Sequence, residues 1–320
     1  MCGIAGLFAK TRDTEARLGT DLAAMLSELA ARGPDSAGVA IYRDPVPEGS
    51  VKLSLLHSRG DEPDWARVAA DLGHALGGHV ALEVRGGSCA IARADAGGAE
   101  AEACLRAVAP DISVIATGQA IELMKRAGAP AELIVRSGLS ALEGTHALGH
   151  TRMATESRVT TEHSHPFSTG PDLCLVHNGS LSNHNRLRAS LRREGLTFAT
   201  DNDSEVAAGY LTWRMAGGAT LDEALEGALR DLDGFFTFAV GTRDGFAVLR
   251  DPVACKPAVL AETDDWVAMA SEYRAIAVLP GAEDAEVWEP VPGRIYSWSH
   301  EGEGTTRPDA STRGDLTGVV

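Results

Sequence analysis

The chain has 320 residues, 44% of them hydrophobic and 23% charged, with a formal net charge of −16. That apolar share suits a domain with a buried core, while the acidic balance excludes a phosphate-neutralising nucleic-acid surface and docking on an anionic membrane. No run approaches the roughly 18 consecutive apolar residues of a spanning helix, and Met1-Cys2-Gly3-Ile4-Ala5-Gly6 lacks the basic and apolar regions of a signal peptide, so a cytoplasmic chain is expected.

In chain order, Ile4 to Ala9 predicts a short buried strand. A helix follows from Glu15 to Ala31, with Leu18, Leu22, Met25, Leu26 and Leu29 at helical spacing. Arg32-Gly33-Pro34-Asp35 breaks it. Strands are expected at Gly38–Arg43 and Val51–His57. From residue 58 to 145, helical runs at Trp65–Leu76, Ala99–Val108 and Ile121–Ala127 alternate with strand-like runs at His79–Arg85, Ser88–Arg93 and Ile112–Ala116, the pattern of a small α/β insert. Strand character returns at His146–Ala154 and Leu173–His177. Helices are expected at Asn183–Glu194, at Asp203–Met215 and after Thr220, where Thr220-x-x-Glu223 forms a capping box. The last third reads as strands at Phe235–Gly241, Phe246–Arg250, Ala258–Ala261, Val267–Ala270 and Arg294–Trp298. The segment 300–320 has no periodicity and is expected to be a disordered tail. Without strict βαβ alternation, these runs imply an α+β fold rather than a doubly wound parallel sheet.

Of the five cysteines, none forms a C-x-x-C pair and the number is odd, so no disulfide framework or zinc cluster is expected; Cys174, in the apolar run Leu173-Cys174-Leu175-Val176, reads as a buried small hydrophobe, and Cys89, Cys104 and Cys255 read the same way. Cys2 differs by position. Once Met1 is removed, it carries a thiol and a free α-amine on one residue. An α-amine titrates near about pH 8, so a fraction is neutral at pH 7 and can take the thiol proton. Four other segments offer chemistry, each with a plainer alternative. Arg152, in His150-Thr151-Arg152-Met153-Ala154-Thr155, suits a bidentate grip on a carboxylate, or a structural ion pair. Asn178-Gly179 pairs an amide with a backbone N–H as an oxyanion hole would, or forms a hairpin turn. In Asp201-Asn202-Asp203-Ser204-Glu205, one carboxylate can cap a helix and another can bind an ammonium group. The histidines at 163, 165, 177 and 184 match no zinc spacing, so no metal site is expected.

Taken together and in order, these segments resemble a class II glutamine amidotransferase, a branch of the N-terminal-nucleophile hydrolases. The match is carried by Cys2-Gly3-Ile4-Ala5-Gly6, Arg32-Gly33-Pro34-Asp35-Ser36-Ala37-Gly38, His150-Thr151-Arg152 through Thr155, His165-Pro166 and His177-Asn178-Gly179. It continues with Asp203-Ser204-Glu205, Arg250-Asp251-Pro252 and Ala270-Ser271-Glu272. The resemblance implies a four-layer αββα sandwich occupying residues 2–299, with 58–145 inserted within it. It also implies roles: Cys2 as nucleophile, Asn178 and the Gly179 N–H on the oxyanion, Arg152 on the glutamine α-carboxylate, Asp203 on its α-ammonium, and Thr155 lining the pocket. The chain departs from the common pattern at Met153, where an aromatic residue is usual, and at Glu156, where some members carry histidine.

The layout most resembles the stand-alone amidotransferase subunit of glutamate-synthase-like systems, including N-methylglutamate synthase. Glutamine is then the substrate, and ammonia goes to a separate synthase subunit. No cofactor is expected in this chain, with flavin and iron–sulfur chemistry on the partner. The alternatives are an N-terminal-nucleophile amidohydrolase that needs no partner, and a non-catalytic subunit that keeps the fold.

Overall fold

The computed structural model of the chain describes residues 2–57, 62–153 and 159–300. The expected tail beyond His300 lies outside them. The first half runs β1 (Gly3–Ala9), α1 (Arg12–Glu28), β2 (Ser36–Tyr42), β3 (Val51–His57), α2 (Trp65–Leu76), β4 (Val80–Val84), β5 (Cys89–Ala94), α3 (Gly98–Val108) and β6 (Ile112–Gly118). Then come β7 (Ile121–Ala127), α4 (Pro130–Ser137), β8 (His146–Arg152), β9 (Phe167–Gly170), β10 (Leu173–Leu181), α5 (His184–Arg193), α6 (Asp203–Ala216) and α7 (Leu221–Asp231). The chain closes with β11 (Gly234–Thr242), β12 (Gly245–Arg250), β13 (Val259–Glu262), β14 (Trp266–Ala270), β15 (Glu286–Trp288) and β16 (Ile295–Ser299). A seven-stranded sheet has the order β15-β13-β14-β1-β8-β2-β7, and a five-stranded sheet the order β16-β12-β11-β10-β9. A four-stranded sheet, β4-β5-β3-β6, completes the set.

The period-2 alternation of strands decides which core each residue enters. On β1, Ala5, Leu7 and Ala9 join the apolar stripe of α1 (Leu18, Leu22, Leu26). The alternate residues Ile4 and Phe8 instead meet Val176, Ala239, Phe246 and Val248 of the five-stranded sheet. The other face of that sheet, with Leu175, Val240 and Leu249, is covered by Val206 and Leu211 of α6 and Leu225 of α7. The two large sheets are thus covered on both faces around β1, β2 and β8, which are buried along their whole length. At α7 the capping box forms as expected: Glu223 N–H donates to Thr220 Oγ1 at 3.2 Å, and Thr220 N–H donates to Glu223 Oε2 at 2.8 Å.

One expected element is of the wrong type. Ile121–Ala127 contains good helix formers, yet it is the strand β7, paired residue for residue with β2 from Ser36↔Ala127 to Tyr42↔Ile121. Cross-strand pairing on a half-formed sheet outweighs intrinsic propensity here. Glu122 shows the tertiary reason: it is fully buried, and its carboxylate meets Lys52 Nζ at 2.8 Å and Arg93 Nη2 at 3.2 Å, tying β7 to β3 and β5. Strand pairing also places β3, which precedes residue 58, in the four-stranded sheet with β5 and β6. That sheet, with α2 and α3, has its own core around Leu53, Leu55, Leu72 and Leu105. The short elements β9, α4 and β15 have no counterpart among the expected ones.

Candidate active site

The alternation that builds the core between the two large sheets also builds the site. On β1, Ile4 faces inward; on β8, Leu148; on β10, Val176. Two residues on from Ile4, and on the same faces beyond Leu148 and Val176, stand Cys2, Arg152 and Asn178. Because Gly3 is in register with Thr151, Cys2 and Arg152 emerge side by side. At this end the apolar filling stops and a cleft of about 540 Å³ opens, lined by Cys2, Arg152, Asn178, Gly179, Asp203 and Lys256 among others. Met153 lies at its edge, 39% exposed. Thr155 and Glu156 lie outside the described residues.

Cys2 is half-buried and is held through its backbone. Its carbonyl accepts from Arg32 Nε at 3.2 Å and from Asn178 Nδ2 at 3.4 Å. Arg32 in turn ion-pairs with Glu272, which also meets Arg274 Nε at 2.5 Å. One step inward, Ile4 N–H donates to Ser271 Oγ at 3.1 Å and Ile4 C=O accepts from Ser271 N–H at 3.0 Å. The chain start is therefore clamped from both flanks, with the thiol side chain facing the cleft.

Asn178-Gly179 is not a hairpin turn. Both residues lie within β10 and pair with β11 as Asn178↔Thr237 and Gly179↔Phe236. In an antiparallel strand, alternate residues turn their N–H and C=O to opposite edges. Leu181 N–H donates to Asp203 Oδ2 at 2.9 Å and His177 C=O accepts from His150 Nε2 at 3.3 Å, both away from β11. Gly179 shares their parity and turns its N–H to that same edge. It adopts φ +153°, and a Cβ there would sit 2.0 Å from the Phe235 carbonyl oxygen, so only glycine fits.

Asp203 opens α6. The helix is capped by the Asn202 amide, not by a carboxylate: Asn202 Oδ1 accepts from Ser204 N–H at 2.9 Å. Asp203 is left at the cleft wall, with one oxygen on Leu181 N–H and the other 3.2 Å from Ser204 Oγ. Glu205 is structural, taking Ala199 N–H at 2.7 Å and Thr200 N–H at 2.8 Å, which fixes the approach to the helix.

Four of the histidines gather at the cleft. His163 bridges Thr160 Oγ1 at 2.8 Å and Asp201 Oδ1 at 3.2 Å. His177 Nδ1 lies 2.8 Å from Ser204 Oγ. Burial depresses the His177 pKa, the Asp203 carboxylate opposing it and the Lys256 charge adding to it. His165 is pushed well down by burial and by neighbouring His150, His177, Arg152 and Lys125. Burial thus favours the neutral form of the His165 and His177 rings. Among the described residues, no group of three or more His, Cys, Asp or Glu side chains is placed to hold a metal ion.

The structure thus brings together Cys2, Arg152, Asn178, Gly179 and Asp203, which are far apart in sequence. It adds two residues that the sequence reading passed over, Arg32 and Lys256. Each stands beside a quoted motif, in Arg32-Gly33-Pro34-Asp35 and five residues beyond Asp251, but only the fold shows where its side chain goes.

Comparison with known proteins shows the family. The glutamine amidotransferase domain family matches residues 150–278. The glutamine amidotransferase-like protein GlxB of Rhizobium meliloti is 52% identical over 94% of this chain and 99% of its own length. A putative glutamine amidotransferase of Methanothermobacter thermautotrophicus is 34% identical over 92% of this chain and 99% of its own. The amidophosphoribosyltransferase of Archaeoglobus fulgidus, 34% identical, is matched over only 31% of its length. In fold, the chain resembles the glutamine phosphoribosylpyrophosphate amidotransferase of B. subtilis, with a TM-score of 0.59 at 21% identity, covering 94% of this chain and 48% of that one. The chain belongs to the glutamine amidotransferase family and is a glutamine-hydrolysing enzyme.

Proposed function

We propose that this chain is the glutaminase subunit of a synthase whose ammonia acceptor resides on a separate polypeptide, working through Cys2 as an N-terminal nucleophile. The observation that carries the reading is the convergence of Cys2, Asn178, Arg152 and Asp203 on one cleft at the open end of the space between two sheets. Three apolar cores stacked across the two sheets support a four-layer αββα arrangement, with α1 outside one sheet and α6 and α7 outside the other.

In this reading, removal of Met1 frees the α-amine of Cys2. The amine takes the thiol proton as Sγ attacks the carboxamide carbon of glutamine, and the C=O electrons move onto oxygen. Asn178 Nδ2 and the Gly179 N–H stabilise that oxyanion. Collapse breaks the C–N bond, and the amine hands its proton to the leaving group, which departs as ammonia. The γ-glutamyl thioester is then attacked by water, whose proton passes through the same amine to the departing Cys2 sulfur, releasing glutamate. Arg152 grips the α-carboxylate and Asp203 the α-ammonium, a pairing matched to a free amino acid.

A separate acceptor is supported by the two relatives that this chain covers over 99% of their length, which leaves no room in them for a second catalytic domain. The proposed acceptor system is glutamate-synthase-like, including N-methylglutamate synthase, in the cytoplasm, with flavin and iron–sulfur groups on the partner.

An alkylating glutamine analogue is expected to add once, on Cys2, of a chain whose intact mass lacks Met1, and to abolish glutamine hydrolysis. Hydrolysis of simple amides but not of glutamine would instead mark a partner-independent amidohydrolase. Arg152→Lys is expected to raise KM for glutamine about 10- to 100-fold with a smaller change in kcat, because a point charge replaces a bidentate fork. Steady-state kinetics check this; an unchanged KM would remove Arg152 from the carboxylate site.

A further inference from the structure

Glutamine presents one carboxylate and one ammonium, which Arg152 and Asp203 match. Among the described residues the cleft holds one cation more, Lys256, and the fold goes to some length to put it there. Lys256 lies in the loop between β12 and β13. Arg250 reaches along that loop, donating from Nη2 to Ala254 C=O at 2.7 Å and from Nε to Lys256 C=O at 3.0 Å. The buried Asp251 carboxylate accepts from Val253 N–H at 2.9 Å and Ala254 N–H at 3.3 Å, while Asp251 N–H donates to Phe236 C=O at 2.9 Å. Ala254 is held at φ +53°, a conformation that a residue with a Cβ takes only when its surroundings impose it.

The outcome of this bracing is the placement of one ammonium. Lys256 Nζ stands 5.2 Å above the ring of Phe235, which is 38% exposed and holds the cation by its π face. Phe235 is in register with Ser180, and its neighbour Phe236 with Gly179. Lys256 is therefore carried to the β10 side of the cleft, whose wall Asn178, Gly179 and Ser180 also form. Among the described residues, no carboxylate lies within 4 Å of Nζ, so its charge is not neutralised by an ion pair. That charge reaches the cleft floor, where it contributes to keeping His177 neutral.

We propose that Lys256 is a catalytic cation of the glutaminase reaction, stabilising the oxyanion together with Asn178 and Gly179 rather than binding ground-state glutamine. This rests on the assignment of Asn178 and Gly179 to the oxyanion. A fixed cation in a partly desolvated cleft favours the state in which negative charge has moved onto the carboxamide oxygen, while the neutral carboxamide gains little. Its effect falls on kcat.

The test compares Lys256→Met, Lys256→Arg and Asn178→Ala by steady-state glutamine hydrolysis and thermal melting. Lys256→Met keeps the stem over Phe235 without the charge, and is expected to lower kcat about tenfold with KM within about twofold and melting unchanged. Lys256→Arg is expected to stay within about threefold of the parent. Lys256→Gln serves the same purpose should the methionine variant not fold. A methionine variant with parental kcat overturns the proposal, as does a raised KM with kcat intact, or an arginine variant as slow as the methionine one. Asn178→Ala separates the two levels: if its kcat is also unchanged, the oxyanion assignment itself has failed. If it falls about 100-fold while Lys256→Met does not, only the role of Lys256 is lost.

Discussion

Cys2→Ala is expected to lower glutamine hydrolysis by at least about 10⁴-fold while leaving the melting temperature where it was. The magnitude follows from what is removed. With the nucleophile gone, no thioester forms, and only binding and oxyanion stabilisation remain to act on water. The unchanged stability follows from how residue 2 is held. Arg32 and Asn178 both donate to its carbonyl oxygen, and alanine presents the same carbonyl. The lost thiol is half-buried and faces the cleft, so little packed surface is given up. Cys255, expected from sequence to be buried, is instead exposed on the loop beside Lys256, because that loop lies outside the packed strands. Cys255→Ser is expected to keep full activity and to remain open to the glutamine analogue, whereas Cys2→Ala takes up none. Residual hydrolysis above about 1% in Cys2→Ala, or alkylation that moves to Cys255 without loss of rate, would sink the nucleophile assignment.

Cys2, Arg152, Asn178, Gly179 and Asp203, which line this cleft, stood out in the sequence through the order of their motifs and the family these resemble, and the fold explains why they meet. Ile4, Leu148 and Val176 declare an inward face, and the same parity places Cys2, Arg152 and Asn178 at the end of it. What sequence could not settle was context. Asn178-Gly179 reads locally as a turn, and only the pairing of β10 with β11 shows it in mid-strand, where the glycine is needed to clear the Phe235 carbonyl. Asp201, Asp203 and Glu205 all compete on paper for the helix cap. Asn202 takes it, which frees Asp203 for the cleft. Ile121–Ala127 failed for a different reason: its helix-favouring composition is local, whereas its register against β2 and the burial of Glu122 beside Lys52 are long-range. Arg32 and Lys256 were missed because the short 3-10 turn that ends at Arg32 and the loop that carries Lys256 give no periodic signal.

Acid is expected to unfold this protein steeply, for reasons that also lie beneath the site. His146 and His150 are fully buried, and burial pushes each down to about 3, against an ordinary histidine value of 6.5. A histidine depressed in the folded state binds its proton more readily when unfolded. The corresponding stability is therefore whole above pH 6.5 and is lost as pH falls from there toward 3. Each such group contributes a slope of about 1.4 kcal/mol per pH unit, so the pair gives nearly 3. His165 and His177 are shifted in the same direction and steepen it. Below the ordinary carboxylate range Glu122 adds to the loss: burial opposes its charge, but Lys52 and the surrounding arginines hold its pKa below the usual value. At that slope about 4 to 5 kcal/mol is lost between pH 6.5 and pH 5, a large share of a typical stability of about 5–15 kcal/mol. Urea titrations from pH 8 to pH 4 are expected to show midpoints falling continuously below pH 6.5; a flat midpoint down to pH 4.5 would refute the account. His146→Phe should shallow the slope by about 1.4 kcal/mol per unit, even though it gives up the contacts to Thr145 Oγ1 and the Thr242 carbonyl and is less stable at pH 8. The same titration distinguishes unfolding from loss of the base. Cys2→Ala keeps every buried histidine, so its acid transition should coincide with that of the parent, while protonation of the Cys2 amine silences the parent enzyme at a pH where it is still folded.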